Sequence, residues 1–142
     1  MKGDPIPDPG LDLPAPLTLC LFAGRERLFA SERHWLHPLF DLEAYFAQSG
    51  QDPRQTRVVD RITGRAAAFL LARLGIPELH TLVLSRRAIP VLAQHGIRCR
   101  FREQVDRIAC ATEDLLAQTR DPAAAWAVLQ ERRALAASRP SR

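Results

Sequence analysis

The sequence predicts an α/β protein, a three-layer α/β/α sandwich with a mixed sheet, on three observations. Between residues 57 and 102, short apolar runs alternate with helical stretches. Strands separated by helices need crossover connections, which favour parallel pairing with helices on the sheet faces. Ahead of them, Leu17-Thr18-Leu19-Cys20-Leu21-Phe22 and Arg27-Leu28-Phe29-Ala30 flank the turn Ala23-Gly24-Arg25-Glu26. This pattern predicts a β-hairpin and gives the sheet its antiparallel part. Finally, 142 residues with 46% hydrophobic and 25% charged side chains suffice for one domain with a hydrophobic core.

In chain order, residues 1–16 carry five prolines and no apolar period, so a disordered, extended leader is expected. An α/β domain over 17–120 and a C-terminal helix with a frayed tail over 121–142 complete the division. His37-Pro38 opens a helix with proline near its first position, and Leu39, Leu42 and Phe46 should face inward. Gln48 to Gln55 reads as a loop, and Arg57-Val58-Val59-Asp60-Arg61-Ile62 as a strand. Thr63 is placed to cap the next helix, which stops at Leu74-Gly75-Ile76-Pro77. Leu79 to Leu84 is a strand, and Ser85 caps a helix ending at His95-Gly96 whose start Pro90 should distort. Ile97 to Arg102 is a strand, a helix is expected from about Cys110 to Thr119, and Asp121-Pro122 starts a last one.

The helix after Gly64 is apolar on nearly every side, with polar residues only at Arg65 and Arg73. Such a helix is buried on nearly every side. One face should meet the sheet. The other meets either the C-terminal helix, through Trp126, Leu129 and Leu135, or a second subunit.

Composition excludes more than it specifies. No apolar run approaches the ~20 residues of a membrane span. The N-terminus lacks a secretory signal, which places the protein in the cytoplasm. Cys20, Cys99 and Cys110 show no CxxC spacing and read as reduced thiols. The charge is +4, and nineteen of the twenty basic residues are arginine. They are scattered, with only Arg98, Arg100 and Arg102 alternating onto one side of a strand, and this spread argues against a nucleic-acid surface. His34, His37, His80 and His95 do not form a ligand pattern, so neither a metal nor a cofactor is expected.

Three motifs carry a family resemblance. Asp60, Gly64, Arg65, Ala66, Ala67, Ala68 and Leu70 fit D-x-x-x-G-[KR]-A-A-A-x-L. Pro38, Leu39 and Leu42 fit P-L-x-x-L, and Ser85, Ala88, Leu92, Gly96 and Ile97 fit S-x-x-A-x-x-x-L-x-x-x-G-[IV]. In this order the sequence resembles the family catalogued as domain of unknown function 1893, over about residues 17–118. The resemblance implies a cytidine-deaminase-like fold. The family also carries an N-R dipeptide followed by a loop ending in C-P-x-E. Here Val105-Asp106-Arg107-Ile108-Ala109 runs straight into Cys110-Ala111-Thr112-Glu113. Either that loop is deleted and Cys110 and Glu113 take the family positions, or Cys110 stands in the place of the asparagine.

Zinc deamination needs H-x-E and P-C-x-x-C, which together hold the metal and shuttle the proton. Neither occurs, and the helix begins Gly64-Arg65-Ala66-Ala67. What remains is an anion-binding turn at Thr63-Gly64-Arg65, with a helix N-terminus and a fixed positive charge. Asp60 stands ready to accept hydrogen bonds from a ribose or base. The alternative is that Gly64 serves close packing, Arg65 is solvated and Asp60 ties down the turn. The candidate ligand-binding residues are Asp60, Thr63, Gly64, Arg65, Ser85, Cys110 and Glu113, and the catalytic residues are unassigned. Two functions follow: binding of a nucleotide or other phosphate-bearing metabolite, or an accessory role with an apolar helix as the interface of a homo-oligomer.

Overall fold

The computed structural model describes residues 4–108, Leu116 and residues 121–138. The hairpin forms as expected from β2 (Leu19–Ala23) and β3 (Glu26–Ser31), which pair antiparallel. Gly24 turns the corner at φ +61, a conformation that suits a residue without Cβ. Helix α1 (His37–Ser49) starts with Pro38 in its first turn and buries Leu39, Leu42 and Phe46. Strand β4 (Arg57–Thr63) leads into α2 (Arg65–Leu74), which ends on left-handed Gly75. Strand β5 (Glu78–Ser85) follows. The distortion expected at Pro90 takes the form of a 3-10 turn, Arg86–Ala88, before α3 (Ile89–Gln94) begins with that proline in its first turn. Strand β6 (Arg98–Val105) and helix α4 (Pro122–Ser138) complete the described elements. The expected helix at Cys110–Thr119 lies outside the described residues, as do residues 139–142 and the side chain of Leu135.

The sheet is mixed, in the order β1-β6-β5-β4-β2-β3, where β1 is Ile6–Pro7. Strands β1, β6, β5 and β4 run parallel, and β2 pairs antiparallel with both β4 and β3. The two crossovers through α2 and α3 step in the same direction across the sheet, so right-handed connections bring both helices to one face. Leu19, Leu21, Val58 and Leu79 point to that face, where they share a core with residues of α1, α2, α3 and α4.

Cys20, Val59 and Leu82 alternate to the other face, which no described helix covers. It is covered by Leu13, with Leu11, Leu17 and Phe22 beside it. The third layer is therefore extended chain among the described residues. This corrects the expectation of a disordered leader. Pro7 is tolerated because β1 is an edge strand, where a missing N–H costs no ladder bond. Three leucines at 11, 13 and 17 bury apolar surface despite lacking a regular period. Arg61 reinforces them, donating through Nη2 to the carbonyls of Leu13 and Leu17, the latter at 2.8 Å.

Helix α2 lies between two layers. Ala66 through Leu71 are all buried. On the side away from the sheet it meets α4, whose Ala125 and Leu129 are fully buried. Arg73, ion-paired with Glu43, stacks 3.8 Å from the centre of the Trp126 ring, which packs in turn on Phe40. The second face of the apolar helix is thus occupied within the chain.

Candidate functional site

Polar residues buried in a core must find partners inside it. Asp60, at the middle of β4, is 7% exposed, and Thr63 at the end of that strand and Thr81 on β5 are wholly buried. Parallel register sets Asp60 beside Thr81 across β4 and β5. The Thr63 hydroxyl lies 3.0 Å from Asp60 Oδ2 and 3.0 Å from Thr81 Oγ1, and Thr81 donates to the Val83 carbonyl at 3.0 Å. This corrects the expected helix cap: the first turn of α2 is preceded by Gly64, without a side-chain cap, and Thr63 turns into the sheet instead. A residue that closes a strand has its side chain fixed by the pleat, and here the pleat directs it inward.

Thr63 has one proton to donate, so the cluster has two arrangements. An ionised Asp60 receives the Thr63 hydroxyl. A protonated Asp60 donates to Thr63, which donates to Thr81, which donates to the Val83 carbonyl, so the chain runs one way throughout. Burial sets the balance. Desolvation pushes Asp60 up to about 7 from 3.8, against opposing hydrogen bonds from Thr63 and from the backbone of Arg61 and Ile62.

A pocket of about 120 Å³ opens beside this cluster, between the end of β4, the loop before α1 and the first turn of α2; Asp60, Ile62, His34, Trp35, Leu39 and Ala67 are among its walls. Trp35 is held at φ +58, the one non-glycine positive φ among the described residues. A bulky residue there carries backbone strain, which collects at ligand sites. Large hydrophobics left exposed include Trp35 at 37% and Ile62 at 49%, and both border this pocket. The Trp35 ring is supported by edge contacts with His37 at 5.3 Å and Phe40 at 5.8 Å. His37 is lowered by burial and then by Arg33 and Arg133, and its buried Nδ1 has no hydrogen-bond partner.

The predicted residues divide into groups. Asp60 and Thr63 meet, with Gly64 adjoining them at the head of α2. Arg65 turns away: its Nε donates to the Leu116 carbonyl at 2.8 Å and its Nη1 to the Arg87 carbonyl at 3.2 Å, with the guanidinium 5.1 Å from the Phe69 ring centre. Ser85 stands at the same turn, its hydroxyl accepting from the Arg87 N–H at 3.2 Å. Arg65 and Ser85 therefore fasten the chain around Arg87. Cys110 and Glu113 lie outside the described residues. Neighbouring guanidinium groups are also committed, Arg33 to both oxygens of Asp41 at 2.9 Å and Arg61 to the leader. Sequence reasoning missed Thr81, Trp35 and Ile62. Alternation in β5 carried a signal for Thr81, but nothing in the sequence announces the backbone of Trp35.

A larger depression of about 840 Å³ lies at the opposite end of the sheet, bordered by Ile6, Glu78, His80, Arg98 and Arg100. None of the predicted ligand residues lines it. No group of three or more metal-ligating side chains occurs among the described residues.

The fold and site together define an α/β protein with a hairpin-completed sheet and a buried acid in the middle of a central strand. Residues 16–132 match the family described as Domain of unknown function (DUF1893), and the chain belongs to that family. The resemblance read from the three motifs is thereby borne out. The crystal structure of a DUF1893 family protein (TM1506) from Thermotoga maritima is similar, with a TM-score of 0.72 and 23% identity over 82% of this chain and 80% of that one. Likeness at this identity speaks to the fold. No curated protein matches the chain.

Proposed function

We propose that the protein binds a nucleotide-type ligand through its heterocycle, in the pocket beside Asp60. The carrying observation is a buried carboxyl, switchable between donor and acceptor, at a pocket whose mouth is framed by a strained, exposed Trp35. A planar heterocycle offers what these groups recognise: ring N–H and carbonyl groups for Asp60, and a face for the indole. A volume of about 120 Å³ equals roughly four waters' share of the liquid, the bulk of one ring system and not of a whole nucleotide. Phosphate is a minor part of the reading, because Arg33, Arg61 and Arg65 are already engaged. A cytoplasmic setting agrees with Cys20 and Cys99 as buried free thiols.

Thermal-shift measurements across nucleobases, nucleosides, nucleotides and inorganic phosphate test the reading. A ligand at about 100 times its Kd stabilises by roughly 2.7 kcal/mol. Bases and nucleosides should raise the melting temperature, and Trp35→Ala and Asp60→Asn should each reduce the rise measured from that variant's own unliganded value. A panel without a response, or equal responses in both variants, refutes it.

A further inference from the structure

The face of the sheet away from the helices gathers arginines that the sequence scatters. Arg27 on β3 sits near enough to Cys20, which points to this face, for its charge to oppose the upward pull of burial on that thiol. On β4, Arg57 lies 5.0 Å from the ring centre of Phe22, and Arg61 reaches the leader carbonyls. Arg98, Arg100 and Arg102 alternate along β6 toward the same side. The rows span four inter-strand gaps, about 19 Å, and the β6 series is spaced by roughly 6.6 Å. His80 and Arg98 share Glu78, at 2.8 and 3.1 Å. The Arg57 Nε is buried with no hydrogen-bond partner.

The leader lies across this face as an anionic strip. Asp8 approaches Arg100 at 3.9 Å, Asp12 approaches Arg102 at 3.6 Å, and Arg102 also donates to the Leu11 carbonyl at 3.3 Å. Both ion pairs are solvent-exposed, a class worth under about 1 kcal/mol each. Strand β1 adds a two-residue pairing, extended by the Asp8 N–H donating to the Phe101 carbonyl at 2.7 Å. The backbone of the strip is anchored at Asp8 and by burial at Leu13, while the carboxylates of Asp8 and Asp12 are held only by exposed ion pairs.

We propose that this face docks single-stranded nucleic acid, and that Asp8 and Asp12 occupy phosphate positions when none is bound. Guanidinium forks match phosphate oxygens in pairs and stack on bases. The arginine row of β6, at the margin of the covered part of the face, is a charged surface along which the backbone of an unpaired strand can lie. Duplex is disfavoured because the array is short.

Fluorescence anisotropy with labelled oligo-dT and oligo-U of about twelve nucleotides, within the range of single-strand sites, tests this on the full chain. Asp8→Asn with Asp12→Asn should tighten binding several-fold. Arg98→Ala, Arg100→Ala and Arg102→Ala together should weaken it at least tenfold and reduce the slope of log K against log salt by roughly 2. Lysine at the same three positions should keep the slope, which separates lost charge from lost folding. No binding by the wild type and the Asn variant at low salt overturns the proposal. So does an oligo-Glu peptide binding as tightly with the same arginine dependence, which makes the face a surface for acidic polypeptides. Unchanged affinity in the Asn variant overturns the role of the leader.

Discussion

Replacing Asp60 with asparagine should abolish a pH dependence of stability that the wild type carries. The folded-state value of about 7 lies above the ordinary 3.8 because the carboxyl is desolvated. The native state therefore keeps a proton that the unfolded chain releases. By linkage, this stability is fully present below about pH 4 and is lost as pH rises through about 7. The whole effect is roughly 4 kcal/mol, and about 2.6 kcal/mol of it falls between pH 5 and pH 8. Asparagine has a similar shape and still accepts from Thr63, but it does not ionise. His37 and His80, both lowered by burial, contribute with the opposite sign in both proteins, so they cancel in the comparison. Urea unfolding at fixed temperature across pH 5 to 8 gives the two stability curves. The difference between Asp60→Asn and wild type should grow by roughly 2.6 kcal/mol over that range, some 8 °C in melting temperature at this chain length. Parallel curves would refute the placement of a buried, proton-holding acid within β4.

Two further outcomes follow from the same geometry. Arg65→Ala should lower stability by about 1–3 kcal/mol, because the Leu116 and Arg87 carbonyls lose a charged donor. Arg65→Lys should recover little of that loss, since an ammonium lacks the fork that reaches both; full stability of the alanine variant in urea would contradict the assignment. The Cys99 thiol, pushed up to about 12 by burial, should resist iodoacetamide in the native protein and react on unfolding, which peptide mass mapping reads directly.

The parts of the fold legible in the sequence are those governed by local rules. Gly24, Gly75, Pro38 and the alternation of Val58, Val59 and Asp60 each act through backbone conformation or period, and the elements formed where those residues sit. The leader was illegible because its stabilisation is tertiary: Leu11, Leu13 and Leu17 mean little until a bare sheet face lies beneath them. Asp60 and Thr63 were visible as candidates, but their partner Thr81 is set by the register between two strands, which no local pattern contains. Arg65 illustrates the reverse. Its position at a helix start suggested an anion, and two carbonyls from distant parts of the chain claimed it instead. The arginine face was invisible for the same reason, since charge dispersed over three strands becomes a surface only when the sheet assembles.

The position of α2 between the sheet and α4 also constrains the order in which the molecule can be finished. During synthesis, all six strands emerge before residues 122–138 leave the ribosome. Until they do, a helix whose every position from Ala66 to Leu71 is buried in the completed protein has one side exposed to solvent. Transiently bare apolar surface of this kind is where nascent chains stick to one another or recruit chaperones. The last helix thus works as a closure, and a chain shortened before Pro122 should accumulate as aggregate rather than as a smaller soluble domain.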